Sequence, residues 1–253
     1  MTVTATAEAA RATRRRGESN GSTYWVTTFL GANRHTLPAD AAPPGEEEIY
    51  PMAFLVEQDA GKVVQPHFHQ ADQFQVVVGG AARLGTHDVT GVAVHFTGRF
   101  TSYGPIVASE KGVHYFTLRN GYDPGAKYMP GARIELKTRR VEPHREAVVD
   151  PSPKAAPADL AVANKAMCNE IMPMEADGLA TWRYRVPPGA DVTGPNPALG
   201  RGQTWLVLAG GVTREVDALG TFSCMFVYPD EAALALRAGA EGAELLCMQY
   251  PRR

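Results

Sequence analysis

Gly61-Lys-Val-Val-Gln-Pro-His67-Phe-His69-Gln-Ala-Asp-Gln73-Phe-Gln-Val-Val-Val-Gly-Gly80 is the stretch whose reading decides the fold. Residues two apart project from the same face of a β-strand, so His67 and His69 point their imidazoles the same way. Imidazole is the commonest metal ligand among side chains, and two side by side hold a divalent ion when further ligands converge on them. Val76-Val-Val reads as a buried strand, and Gly79-Gly80 lets the chain turn directly after it. Gln75 and Val77 share the parity of Gln73, whereas Asp72 has the opposite parity and points away.

Working outward, both flanks are β in character. Tyr24-Trp-Val-Thr-Thr-Phe-Leu30 is β-branched and aromatic, Leu37–Gly45 is a proline-rich loop, and Met52–Glu57 is a strand ending in the turn Asp59-Ala-Gly61. Downstream, Ala81–Gly85 and Val92–Phe96 read as strands. The latter puts Ala93 and His95 on one face. Thr101–Ile106, with Tyr103-Gly-Pro105, is a turn into a further strand, and Val113–Arg119 is another. Short strands at regular spacing with Gly or Pro between them predict an all-β barrel or sandwich.

Residues 139–165 mix charges with prolines and read as a linker, with a short helix over Ala158–Ala166. Beyond it the grammar repeats. Gln203-Thr-Trp-Leu-Val-Leu-Ala-Gly-Gly211 echoes Gln73–Gly80: aligned on Gly80 and Gly210, Gln73 meets Gln203 and the three valines meet Leu206, Val207 and Leu208. Such repetition predicts a duplicated domain. The expected division is a disordered tail over 1–21, a first barrel over 22–138, the linker, and a second barrel over 166–253. The second copy has lost its imidazoles, since no histidine follows His144, and is read as structural or as the wall of an interface.

The 253 residues are 44% hydrophobic, ample for a core, and the net charge of −2 gives no argument for nucleic acid or membrane as partner. The expected partner is a small molecule. Arg11, Arg14, Arg15 and Arg16 in the tail admit a nucleic-acid arm or a solvated segment; composition favours the solvated one. Three widely spaced cysteines, Cys168, Cys224 and Cys247, form no Cys-x-x-Cys pair, so the expectation is a reducing, cytoplasmic setting without disulfides. No run approaches the roughly 20 apolar residues of a membrane span, and no phosphate loop or nucleophile elbow is present.

The central stretch resembles the first motif of the cupin superfamily, Gly-x5-His-x-His-x3or4-Glu-x6-Gly, matched by Gly61, His67, His69 and Gly80 with Gln73 in the place of Glu. The resemblance implies two tandem jelly-roll β-barrels, a bicupin. It implies a divalent transition metal in the first, Fe2+ before Mn2+, Ni2+ or Zn2+, held by His67 and His69. Gln73 is then a third ligand through its amide oxygen, or only a hydrogen-bonding group across the barrel. The second cupin motif, Gly-x5-Pro-x-Gly-x2-His-x3-Asn, has no match, and His95 stands first among the candidates for the missing ligand, ahead of His114. Tyr103 falls near that position and is a candidate acid or hydrogen-bond donor to substrate. Gln75 and Arg83 are candidate substrate contacts, as is Arg99, each arginine alternatively a surface charge. The resemblance further implies a homodimer and, as activity, a metal-dependent oxygenase or dioxygenase. The competing readings are a non-redox isomerase or lyase, and a ligand-binding or structural bicupin with a dead site.

Overall fold

The computed structural model describes residues 1–34 and 36–253. The chain divides into two compact units, Ala12–Pro153 and Met1–Arg11 with Lys154–Arg253. No helix is long and apolar enough to cross a membrane.

In the Ala12–Pro153 unit, nine antiparallel strands form one sheet. Its path runs Glu146–Ser152, Val92–Thr97, Gln73–Leu84, Ile106–Arg119, Met52–Gln58, Ser22–Leu30, Arg15–Ser19. The strand beginning at Gln73 runs unbroken to Leu84, so no separate strand starts at Ala81. It is bulged, because Val77 pairs with Tyr115 while Gly79 pairs with His114. The extra residue reverses the alternation: Gln73, Gln75 and Val77 face the lumen before it, Ala82 and Leu84 after it. Gly80 sits at φ 69°, and a Cβ there would lie 2.2 Å from the carbonyl oxygen of Gly112. Only glycine fits.

The other unit repeats this construction. Gln203–Arg214 pairs with Ala235–Gln249 as Gln73–Leu84 pairs with Ile106–Arg119, with the same bulge between Val207 and Ala209. Gly210, at φ 67°, meets the Gly242 carbonyl as Gly80 meets that of Gly112. Here the lumen is filled. Trp205, wholly buried, stacks on Tyr184 with ring centroids 5.2 Å apart and packs among Val207, Met225, Leu236 and Leu245.

Three expectations need correction. Residues 1–21 are not a tail: Val3–Ala5 pairs with Cys224–Val227, and Arg15–Ser19 forms a hairpin with Ser22–Leu30. Asn20-Gly21, at φ 48° and 79°, is the two-residue turn that the right-handed twist of a hairpin favours. The arginines are then neutralised locally, Arg14 on Glu57 and Arg16 on Asp59, with Arg14 also 4.0 Å above the Trp25 ring. The segment expected as linker supplies Glu146–Ser152, paired with Val92–Thr97, and its helix is Pro157–Ala161, with its proline in the first turn. The first unit accordingly runs past 138 to Pro153.

Because Trp205 fills the second lumen, Trp205→Ala is expected to cost about 3–5 kcal/mol of stability. Chemical denaturation of the full chain would check it.

Candidate active site in the first barrel

A cavity of about 700 Å³ opens in the Ala12–Pro153 unit, within the size range of small-molecule sites. Tyr24, Phe54, Tyr115, Tyr128 and Ile106 give it an apolar and aromatic wall, and its polar residues include His67, His69, Gln73, Gln75, Tyr103 and Arg119.

Backbone pairing brings His67 and Tyr103 together. The His67 N–H donates to the Tyr103 carbonyl at 3.1 Å and the Tyr103 N–H returns the bond at 3.0 Å, which puts both side chains on one face. His67 and His69 do converge, with ring centroids 5.0 Å apart, although only His67–Phe68 is strand, paired with Lys127–Tyr128. Gln73 opens the long central strand, and its register partner is Arg119.

That register fixes every proton in the ring. Guanidinium can only donate, so the Gln73 Oε1 must accept from Arg119, at 3.0 Å from Nε and 2.7 Å from Nη2. Gln73 Nε2 is then a donor, to the Tyr103 oxygen at 2.8 Å. The phenol proton passes to His67 Nε2 at 2.9 Å, and the His67 Nδ1–H donates to the Gln65 carbonyl at 2.7 Å. His69 is set from the other side: its Nδ1–H donates to Asp123 Oδ1 at 2.8 Å, and Arg119 Nη2 lies against the ring, 3.2 Å from both Nδ1 and Nε2. Asp123 also accepts from the backbone N–H groups of Gln70 and Gly125.

The ionisation states follow from burial and these partners. Burial first, then the neighbouring His69, pushes the His67 pKa down to about 3. Burial and the Arg119 charge lower that of His69. Burial raises the Tyr103 phenol. It would also raise Asp123, but His69 and Arg119 with the hydrogen bonds it accepts hold that carboxyl well below the usual range. Both imidazoles and the phenol are neutral, and the charges of the ring are Arg119 and Asp123.

Of the residues expected in the site, His67, His69, Gln73, Tyr103 and Gln75 are brought together. His95 is buried nearby but not available as a ligand: Nδ1 lies 2.8 Å from Gln75 Oε1 and Nε2 is 2.9 Å from Glu146 Oε1. Arg83 is not at the site, because the bulge turns it outward to 60% side-chain exposure beside Asp88. Arg99 pairs with Glu47 and Glu142, and His114 packs beside Gly79. Arg119 and Asp123 escaped the sequence reading. The signal for Arg119 was a lone cation closing an otherwise largely apolar strand at the position that pairs with Gln73.

A divalent ion needs lone pairs, and those available to it here are on His67 Nε2, His69 Nε2 and Gln73 Oε1. The first accepts the phenol proton, the last accepts from the guanidinium, and the same guanidinium lies against the His69 ring. Among the described residues no group of three or more His, Cys, Asp or Glu is placed to hold an ion. As arranged, the ring does not fit a resident divalent metal.

Two outcomes follow. Tyr103→Phe leaves His67 Nε2 and Gln73 Nε2 unpaired in a buried site and is expected to cost about 1–3 kcal/mol, measured by thermal or chemical denaturation. His67 is held neutral when folded but ionises near pH 6.5 when unfolded, so its contribution is complete above that pH and is lost as pH falls from 6.5 toward about 3. A plot of melting temperature against pH should fall across that window, and less steeply in His67→Gln.

No family model and no curated protein matches the chain. Solved structures do. The bacterial pirin YhhW of Escherichia coli, in complex with nickel(II), superposes with a TM-score of 0.59 at 11% identity over 100% of both chains. A conjectured dioxygenase of Nostoc punctiforme gives 0.58 at 14% identity, covering 98% of this chain and 78% of that one. A variant of the oxalate decarboxylase OxdC of Bacillus subtilis, a protein with Mn(II) centres, gives 0.56 at 11% identity, over 100% of this chain and 78% of its own. At these identities the likeness carries the architecture alone: the chain has the fold of the cupins, two tandem jelly-roll β-barrels.

Proposed function

We propose that the first barrel is the active site of an enzyme that takes a small organic anion, a carboxylate on an apolar or aromatic body, and works on it by proton transfer. The observation that carries this reading is the buried guanidinium at the cavity wall. Nε and Nη2 of Arg119 are spent on Gln73, whereas Nη1 makes only a 3.5 Å ion-pair contact with Asp123. Nη1 therefore keeps donors for an incoming carboxylate, and the aromatic wall suits the rest of the molecule. The Tyr103 phenol and His67 Nε2 form a neutral hydrogen-bonded pair, and the phenol O–H is the acid that would serve a substrate oxygen entering beside it. Non-redox lyase or isomerase chemistry on an organic acid is the class these groups serve, and a decarboxylase among the structural neighbours is in keeping with it.

Metal-dependent oxygenase chemistry is a second reading. It is favoured by the carboxylate of Asp123 behind His69 Nδ1, the arrangement that orients metal-bound imidazoles. It requires Arg119 to leave Gln73 and His69, after which His67, His69 and the Gln73 oxygen would hold an ion such as Fe(II), Mn(II) or Ni(II). Oxygen uptake on a panel of aromatic and dicarbonyl substrates, with each ion supplied, is its test. A cytoplasmic setting and a homodimer complete the proposal. The exposed edge strand Met167–Met172 offers one face for pairing, and light scattering of the full chain tests it.

For the anion site, calorimetric titration with benzoate, phenylpyruvate and oxalate should show saturable binding of at least one. Arg119→Met should weaken it by about tenfold or more, the worth of a hydrogen bond between charged groups. Unchanged affinity in a folded Arg119→Met protein would remove the proposal.

A further inference from the structure

We infer that the guanidinium of Arg119 takes the place of the metal ion in this barrel, so that the site is built around a covalently attached cation and binds no divalent one. The inference is independent of what the cavity accepts. It stands on three observations. The first is occupancy of lone pairs: Gln73 Oε1 accepts two hydrogen bonds from Arg119, His67 Nε2 accepts from Tyr103, and the same guanidinium lies against the His69 ring, 3.2 Å from both of its nitrogens. Two of the three lone pairs that would converge on an ion accept hydrogen bonds of the chain instead, and a fixed cation lies against the ring that carries the third.

The second is charge. With an amide at position 73, the carboxylate nearest the ring is Asp123, and its oxygens are already engaged by His69 Nδ1, two backbone N–H groups and the Arg119 charge. An added divalent ion would meet a fixed cation, and the carboxylate lining the cavity beside it is already engaged. The third is the duplicated unit, where the register partner of Gln203 is Gln249 and the pair is neutral, Gln203 Nε2 donating to Gln249 Oε1 at 2.9 Å. A charged residue stands at this register position in the unit that keeps both a cavity and its histidines.

The test is metal binding by the protein itself, without an affinity tag. The full chain is purified, its metal content measured by emission spectrometry, then treated with chelator and titrated calorimetrically with Ni(II) and with Mn(II). Wild type is expected to carry substoichiometric metal and to give no saturable heat that depends on His67. The variant Gln73→Glu/Arg119→Ala, which restores a carboxylate and removes the cation, is expected to take up one ion per chain, and to lose it on further substitution of His67 by Ala. Wild-type protein that carries one ion per chain, or binds Ni(II) or Mn(II) as tightly as the double variant in a His67-dependent way, overturns the inference. So does a cooperatively melting double variant that binds no better than wild type. Should the double variant not fold, the wild-type titration decides, with Arg119→Gln as the second protein. Loss of the organic-anion titration in wild type would remove the proposed function and leave this inference standing.

Discussion

The hydrogen bonds from Arg119 to Gln73 are the constraint on which the first barrel's interior depends. A guanidinium buried to 4% exposure must satisfy its donors inside the protein. Once Gln73 turns its oxygen to meet it, the amide N–H, the phenol proton and the tautomer of His67 have no remaining freedom. Asp123 does the same for His69 and supplies the compensating charge. Two unit charges 4 Å apart interact by about 4 kcal/mol at the effective dielectric of a protein site. A doubly charged ion placed beside the guanidinium would add repulsion against the attraction that Asp123 supplies. Apart from Arg119 Nη1 and His69 Nε2, the polar groups of the ring pair with one another, and a network so paired rigidifies a site.

The two units show how little separates an open lumen from a closed one. Their central strands carry the same bulge and the same left-handed glycine, so backbone position is held constant. At matching places, Gln75 faces Thr117 across the ladder where Trp205 faces Cys247, and Arg119 stands where Gln249 stands. An indole fills the space that the shorter amide leaves to the cavity. Gly194 makes room for that indole, since a Cβ there would lie 2.3 Å from the Trp205 ring. Side-chain volume at Gln75 and Trp205, on an unchanged ladder, decides whether the lumen is open or filled.

Legibility in the sequence followed the range of the interactions. His67, His69, Gln73 and Gly80 lie within one stretch, where alternation and glycine punctuation are local signals, and the repeat at Gln203–Gly211 was readable for the same reason. Arg119 is 46 residues from Gln73 and Asp123 is 54 from His69, and their roles arise from pairing register. Register was hidden by the bulge. The same extra residue misplaced Arg83, whose parity from Gln73 would have aimed it inward on an unbulged strand. At the N-terminus, a reading by composition passes over the Asn20-Gly21 hairpin turn, and the counterions of Arg14 and Arg16, Glu57 and Asp59, lie on a distant stretch.

The neutrality of both imidazoles has a consequence for what the cavity can accept. Had either ring been charged, the positive potential would have been split between groups that titrate, and binding would track pH through the physiological range. With burial holding His67 and His69 unprotonated, the positive charge of the ring sits on the Arg119 guanidinium. A carboxylate entering beside Nη1 meets a cation already oriented by Gln73 and His69, so little reorganisation opposes it and the low local dielectric works in its favour. A neutral ligand gains only the aromatic wall. The selectivity of the cavity is therefore set by one immobilised charge, and the hydrogen bonds that immobilise it are those that occupy the donors a metal would need.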